Sequence, residues 1–343
     1  MADPIISVRD LSIRYRTRES MTYAVDGVSF DLERGKVLTL VGESGCGKST
    51  AGMAIMRLLP QEADVLSGSV TFDGTDLLAL DERSLRHVRG RRVAMIFQDP
   101  IAGLNPVLDI GTQVGELLVS HLGIGKKEAR ARAVEVLREV GLPEPGRVAR
   151  SYPFQLSGGM CQRVMIGIAT ALDPDVIIAD EPTSALDVTV QAQILHQLDD
   201  LRKRKGTAVL LITHDFGVVA QMADDVAVMY AGRVVESGGV RDMLKAPLHP
   251  YTHALLASLP RVDGKHGHLA QIPGHPPEMT ERAERCPFIP RCGKVMNVCR
   301  NTEPPELMRP ESATHRVACY NPIWREPTAK SGLSAERLRG RAR

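Results

Sequence analysis

The chain carries no excess of charge. Its 343 residues hold 43 Lys and Arg against 41 Asp and Glu, a formal net charge of +2. Electrostatics alone therefore implies neither a nucleic acid nor an acidic membrane surface as partner. Long apolar runs are also missing, since no stretch approaches the ~18 consecutive apolar residues of a membrane helix. Residues Met1 to Ser7 lack a basic segment followed by an apolar core, so the expectation is a chain made and kept in the cytosol. There is no internal repeat. The remaining composition, 43% apolar and 24% charged, is an ordinary soluble balance, and the length allows two domains. The basic tail, 326–343, with Arg337, Arg339, Arg341 and Arg343, reads as solvated and frayed.

Short β-branched and apolar runs precede helical patterns at Val37 to Val41, Val93 to Phe97, Val176 to Ala179 and Val209 to Thr213. Strands buried on both faces read this way, so the fold class is α/β with a largely parallel sheet. Residues 5–13, 25–32 and 66–72 alternate apolar and polar, which predicts an antiparallel β portion near the N-terminus. From about 103 to 160 the pattern is helical, clearest in the amphipathic segment Lys126 to Val140, and predicts a helical subdomain. After about 240 the composition turns to Pro, His and Arg, with Pro247, Pro250, Pro260, Pro273, Pro276, Pro277, Pro287 and Pro290 excluding long helices. Residues 241–325 thus read as a separate, irregular C-terminal domain with few apolar residues for a core of its own.

The chemistry is written in glycine. Gly42, Glu43, Ser44, Gly45, Cys46, Gly47, Lys48 and Ser49 fit G-x-x-x-x-G-K-[ST], a loop whose backbone N–H groups cradle phosphates. In that pattern Lys48 reaches the β/γ-phosphates and Ser49 holds Mg²⁺. The preceding strand and the helix-like Thr50 to Leu59 supply the context the motif needs. Val176 to Ala179 ends in Asp180 and Glu181, two carboxylates at a strand's C-terminal edge, where α/β proteins bind ligands. Asp180 is expected to hold Mg²⁺ through its water shell and Glu181 to polarise the attacking water. The next strand ends in Thr213, His214 and Asp215, from which His214 can reach the γ-phosphate side. Gln98, just past another strand, can meet Mg²⁺ and the same water. Leu156, Ser157, Gly158, Gly159 and Met160 place a glycine-flanked serine at a helix start, a second anion site. Two such elements for one nucleotide point to two chains sharing their sites.

Taken together, these residues resemble the ATP-binding cassette of ABC transporters. Gly42 to Ser49 match its phosphate loop, Gln98 its glutamine loop, Leu156 to Arg163 its LSGGQ-type motif, and Val176 to Glu181 its magnesium strand with the catalytic glutamate. Ser184 to Asp187 match the loop that crosses the dimer interface, and His214 the switch histidine. The cassette covers about 1–240. The resemblance implies a P-loop core with antiparallel β and helical subdomains, and two cassettes closing head to tail. Each ATP would then lie between one phosphate loop, with Thr50 beside it, and Ser157, Gly158, Gly159 and Asp187 of the other chain. Tyr15 sits where the adenine-stacking aromatic is expected, with Tyr23 as the alternative. Met160 departs from the usual glutamine, which removes one side-chain donor and leaves Ser157 and the backbone amides.

Further details resemble the oligopeptide/dipeptide importer branch, which also includes nickel and other small-solute systems. They are Val41 to Gly45, Phe97 to Pro100 followed by Leu104 to Pro106, Glu181 to Gln191, and His249 to Thr252. The resemblance implies a paralogous ATPase partner, two membrane permeases, an extracytoplasmic solute-binding protein, and a place on the cytoplasmic face of the inner membrane. Cys286, Cys292, Cys299 and Cys319 have the spacing C-x5-C-x6-C-x19-C. These loops are wider than the tight pairs of structural zinc and suit a larger object such as a four-iron cluster. Iron–sulfur, zinc and packed free thiols all remain open on spacing; the resemblance implies a [4Fe–4S] cluster. His249, His253, His266, His268 and His275 are expected at the surface rather than as ligands.

Overall fold

The computed structural model describes residues 3–16, 20–184, 188–259, 272–308 and 315–323. Asp187, His266, His268 and the basic tail lie outside them. Strands β1 (Ile6–Arg16) and β2 (Met21–Leu32) pair antiparallel, and β3 (Val37–Val41) leads through the phosphate loop into α1 (Lys48–Ile55). β4 (Ala63–Phe72) and β5 (Thr75–Asp76) return to β1, giving an antiparallel sheet ordered β2-β1-β4-β5. Next come α2 (Glu82–Val88), β6 (Val93–Ile96), the inserted helices α3 (Ile110–Leu122), α4 (Lys126–Glu139) and α5 (Pro145–Val148), then α6 (Gly158–Thr170). The alternation continues with β7 (Val176–Asp180), α7 (Val188–Lys205), β8 (Ala208–Thr213), α8 (Phe216–Met222), β9 (Asp225–Tyr230), β10 (Arg233–Gly239) and α9 (Val240–Lys245). The C-terminal region adds α10 (Pro250–Ala257), α11 (Asn297–Asn301) and β11 (Arg316–Val317).

The second sheet is ordered β11-β10-β9-β3-β8-β7-β6, with β9, β3, β8, β7 and β6 mutually parallel and β10 and β11 antiparallel at one edge. β3, β7 and β8 are buried at every position, because helices or the first sheet cover both faces. Period-two alternation divides the two cores. β8 sends Leu210 and Ile212 toward α1 and the antiparallel sheet, and Val209 and Leu211 toward α6 and α7. In α4 the buried Ala129, Ala133, Val136 and Leu137 form the stripe expected of an amphipathic helix. Asp109 caps α3 by accepting the Thr112 N–H at 2.8 Å, and Gly123 ends that helix in the left-handed conformation.

Two expectations need correction. The helix predicted through Leu59 stops at Ile55: Arg57 turns to φ +49°, and Arg89 donates to the freed carbonyls of Met56 and Arg57 at 2.8 and 2.9 Å. His249, expected at the surface, is 1% exposed. Its Nδ1 accepts the Tyr251 N–H at 3.1 Å and caps α10, while its own N–H donates to Glu236 at 2.8 Å. His253 and His275 are exposed.

The C-terminal region solves its shortage of apolar residues by docking. Tyr251 and Phe288 join Val41, Val228 and Tyr230 in one cluster, with ring centroids of Tyr230 4.6 and 5.2 Å from those of Tyr251 and Phe288. Aromatic pairs of this kind contribute about 0.5–1.5 kcal/mol each beyond area burial. β11 extends the sheet beside β10, and His315 lies 2.6 Å from the fully buried Glu236 carboxylate. Among the described residues no helix is long and apolar enough to cross a membrane.

Candidate active site

Parallel register assembles the site before any side chain is considered. Val41 lies opposite Thr213, Asp180 opposite Ile212, and Ile96 opposite Ala179. The phosphate loop, His214, the Asp180–Glu181 pair and Gln98 therefore leave the sheet along one carboxyl-terminal edge.

Within the loop, glycine is obligatory at two positions. A Cβ on Gly42 would stand 2.2 Å from the Met229 carbonyl oxygen, and one on Gly47 would stand 2.0 Å from that of Ala24, with Gly47 at φ +98°. Neither backbone can give way without moving a strand. Lys48 is 7% exposed, and its ammonium donates to the carbonyls of Gly42 and Glu43 at 2.8 and 2.9 Å, with the Cys46 sulfur 3.6 Å away. Burial holds the Cys46 thiol above its ordinary pKa despite Lys48. Ser44 and Gly45 are exposed at the tip.

Ser49 and Asp180, 131 residues apart, meet: the serine hydroxyl donates to the carboxylate at 3.0 Å. Burial pushes the Asp180 carboxyl above the usual range; the Ser49 bond opposes this and the Glu181 charge adds to it. An oxygen-only donor pair with a poorly solvated carboxylate fits a hard divalent cation such as Mg²⁺. Next to it, Glu181 adopts φ +47°, its N–H donates to the Ile212 carbonyl at 2.9 Å, and its carboxylate lies 2.7 Å from His214 Nδ1. The Glu181 side chain is 11% exposed and that of His214 69%. Gln98 stands exposed just past β6. Tyr15 Oη lies 3.2 Å from Thr50 Oγ1, which puts the ring beside the start of α1. The backbone N–H of Tyr23 instead donates to the carbonyl of Met279 at 2.7 Å.

Ser157 caps α6 by accepting the Met160 N–H at 3.3 Å, and both Ser157 and Gly158 are exposed. No hydrogen bond among the described residues joins Ser157, Gly158 or Gly159 to the phosphate loop. Ser184 N–H and Oγ both donate to the Glu181 carbonyl, at 3.1 and 3.0 Å; Asp187 lies outside the described residues.

The four C-terminal cysteines, 286, 292, 299 and 319, line one largely apolar cavity with Phe288, Ile289, Val295 and Pro305. The sulfurs of Cys292 and Cys319 accept backbone N–H bonds from Lys294 and Asn321, at 3.4 and 3.3 Å, and that of Cys286 accepts from Phe288. Each donor is two residues along the chain, a turn that favours thiolate over thiol. Burial acts the other way, raising Cys286 and Cys292 and pushing Cys319 up to about 11. Among the described residues no three His, Cys, Asp or Glu side chains converge as the ligands of a single ion do.

Sequence reading missed one group at this site. Arg291 sends two bonds to the Glu43 carboxylate, at 2.6 and 2.9 Å, and the Tyr251 hydroxyl accepts the Glu43 N–H at 2.9 Å. Both residues stand inside motifs that the sequence shows, His249 to Thr252 and Cys286 to Cys292, yet nothing local marks them as loop contacts.

Comparison with known proteins agrees with this geometry. Residues 25–184 match the family described as ABC transporter, and residues 235–299 the family described as oligopeptide/dipeptide transporter, C-terminal region. The dipeptide transport ATP-binding protein DppD of Bacillus subtilis is 46% identical, over 93% of this chain and 95% of that one. The oligopeptide transport ATP-binding protein OppD of Salmonella typhimurium is 43% identical, over 94% and 95%. The dimeric ATP-binding cassette MJ0796, in a post-hydrolysis state bound to ADP and Pi, superimposes with a TM-score of 0.63 at 30% identity, over 69% of this chain and 99% of that one. The chain belongs to the ATP-hydrolysing subunits of ABC transporters, in the oligopeptide/dipeptide branch.

Proposed function

We propose that this chain hydrolyses MgATP, at an interface with a second cassette, to drive the import of short peptides through membrane subunits. The observation that carries this reading is the convergence of two pairs, Ser49 with Asp180 and Glu181 with His214, beside the phosphate loop. Peptides are the solute because relatives alike over nearly their whole length are named for dipeptide and oligopeptide transport.

Each residue has a role that its position supports. The backbone N–H groups of Gly42, Ser44, Gly45, Cys46 and Gly47, with Lys48, cradle the phosphates, and Thr50 follows at the first turn of α1. Ser49, Asp180 and Gln98 hold Mg²⁺, which when bound neutralises phosphate charge. Glu181 accepts a proton from the attacking water, and His214 holds its carboxylate in line. Tyr15 stacks on adenine. Ser157 and Gly158, exposed at the start of α6, and the half-buried Gly159 supply N–H and hydroxyl donors to the partner's nucleotide, and Asp187 lies across the same interface. The dimeric relative bound to ADP and Pi supports such a pairing.

The partner cassette is a paralogue, the two membrane subunits are permeases, and an extracytoplasmic binding protein delivers the solute. This places the chain at the cytoplasmic face of the inner membrane. Phe97, Ile101, Val107 and Phe154 leave 38%, 58%, 77% and 72% of their surface exposed along the segments that flank the inserted helices, an apolar surface suited to the permeases. The C-terminal cysteines hold a [4Fe–4S] cluster, a reading supported by the four of them lining one largely apolar cavity.

The deciding experiment reconstitutes the chain with its partner ATPase and permeases in proteoliposomes. Di- or oligopeptide presented on the binding protein should stimulate ATP hydrolysis severalfold and enter the vesicle. Stimulation by nickel and not by peptide would leave the ATPase in place and overturn the solute.

A further inference from the structure

Glu43 is held from three directions. Its carbonyl accepts the Lys48 ammonium at 2.9 Å, its N–H donates to Tyr251 Oη at 2.9 Å, and its carboxylate takes two bonds from Arg291. The last two holders come from a region more than 200 residues away. Neither is a casual surface contact. Tyr251 is fully buried against Tyr230 and Phe288, and the Arg291 side chain is 4% exposed, with its Nε donating to the Pro273 carbonyl at 2.9 Å and its Nη1 3.4 Å from Tyr230 Oη.

A carboxylate in a phosphate-binding loop repels the ligand unless its charge is cancelled, and a glycine-rich loop loses entropy when a ligand orders it. Arg291 answers the first problem and Tyr251 the second. Resting on the assignment of this loop to ATP, we propose that Arg291 and Tyr251 are positioning residues for nucleotide binding. They fix and neutralise Glu43, so that affinity for ATP depends on the docked C-terminal region. Neither touches the reacting atoms.

The test uses the full chain, with MgATP hydrolysis, binding of a fluorescent ATP analogue and thermal melting measured side by side. Tyr251→Phe removes only the hydroxyl and leaves the ring packed. It should raise KM and the analogue's Kd about fivefold, with kcat lowered by less than about twofold and melting unchanged. Arg291→Met leaves Glu43 charged and unpaired and should raise KM more than about tenfold. Adding Glu43→Gln to Arg291→Met should then recover part of the loss, which a purely structural role for Arg291 would not produce. Wild-type KM in folded Tyr251→Phe, or no recovery in a folded double variant, overturns the proposal. Should Arg291→Met fail to fold, Tyr251→Phe alone decides it. Failure of the wild-type chain to bind ATP would instead overturn the assignment of the loop.

Discussion

Glu181 Oε1 and His214 Nδ1 lie 2.7 Å apart although 33 residues separate them. The contact exists because β7 and β8 run parallel with Asp180 opposite Ile212, so both chains leave the sheet at the same level. Glu181 then turns to φ +47°, a conformation that costs a non-glycine residue about 1–2 kcal/mol and is retained where it aims a functional group. Here it directs the carboxylate to the imidazole.

That geometry makes the first prediction an isosteric one. Glu181→Gln keeps the shape and removes the carboxylate proposed to accept the proton, so kcat should fall by at least about 100-fold. Binding of a fluorescent ATP analogue should stay within a factor of about two, because Lys48 and the loop amides are untouched. Hydrolysis at the wild-type rate would show that another group acts as base.

Ser157 separates two effects that are easily confused. As the cap of α6 it satisfies the Met160 N–H, and Ser157→Ala should cost about 1 kcal/mol, a loss of roughly 2–4 °C in melting temperature. If its exposed hydroxyl also meets the partner's nucleotide, hydrolysis by the assembled transporter should fall by more than about tenfold, while nucleotide binding by the separate chain is kept. Substitution by Asn, which also caps helices and adds no charge, restores the melting temperature and tests the hydroxyl alone.

Much of this arrangement was legible in the sequence, for a physical reason. Strands covered on both faces write themselves as unbroken apolar runs, and the residues that end or follow them, Asp180, Glu181 and His214, meet beside the phosphate loop at one sheet edge. Amphipathic α4 was equally plain. What could not be read were features decided by distant partners. α1 ends at Ile55 rather than Leu59 because Arg89 reaches its last carbonyls, and no local signal announces that. His249 sits in a proline-rich segment without periodicity, and its burial comes from Glu236 and Phe288. Arg291 and Glu43 are 248 residues apart. The C-terminal region reads as separate because its composition changes, yet its aromatic rings complete the cassette's own core.

Burial of His249 also sets a pH dependence. Desolvation pushes its pKa down to about 4 from 6.5, opposed in part by the Glu236 charge. The unfolded chain therefore binds a proton between those values that the folded one does not. Stability conferred by the neutral ring is complete above about pH 6.5 and is lost as pH falls toward 4, by about 3 kcal/mol in all. His249→Asn keeps a side-chain acceptor at the α10 cap and removes the titration. Urea unfolding at pH 7 and pH 4.5 should show the wild type losing more stability than the variant; parallel losses would exclude His249 as the cause.

The cysteine cavity yields the last prediction. Partial burial in apolar surroundings makes the Cys286, Cys292 and Cys319 thiols resist ionisation, yet these three sulfurs receive N–H bonds of the kind that stabilise thiolate. A cationic centre reconciles these opposing influences, because bound thiolates no longer carry uncompensated charge. Chain purified without oxygen should contain about four iron and four acid-labile sulfide, with visible absorption that Cys292→Ser abolishes. About one zinc per chain, or no metal, would refute the cluster. In Cys292→Ser, Arg291 would also lose its neighbouring anchor, so KM for ATP should rise along with loss of iron. Iron lost with KM unchanged would show instead that packing of Tyr251 and Phe288 holds the region in place without the metal.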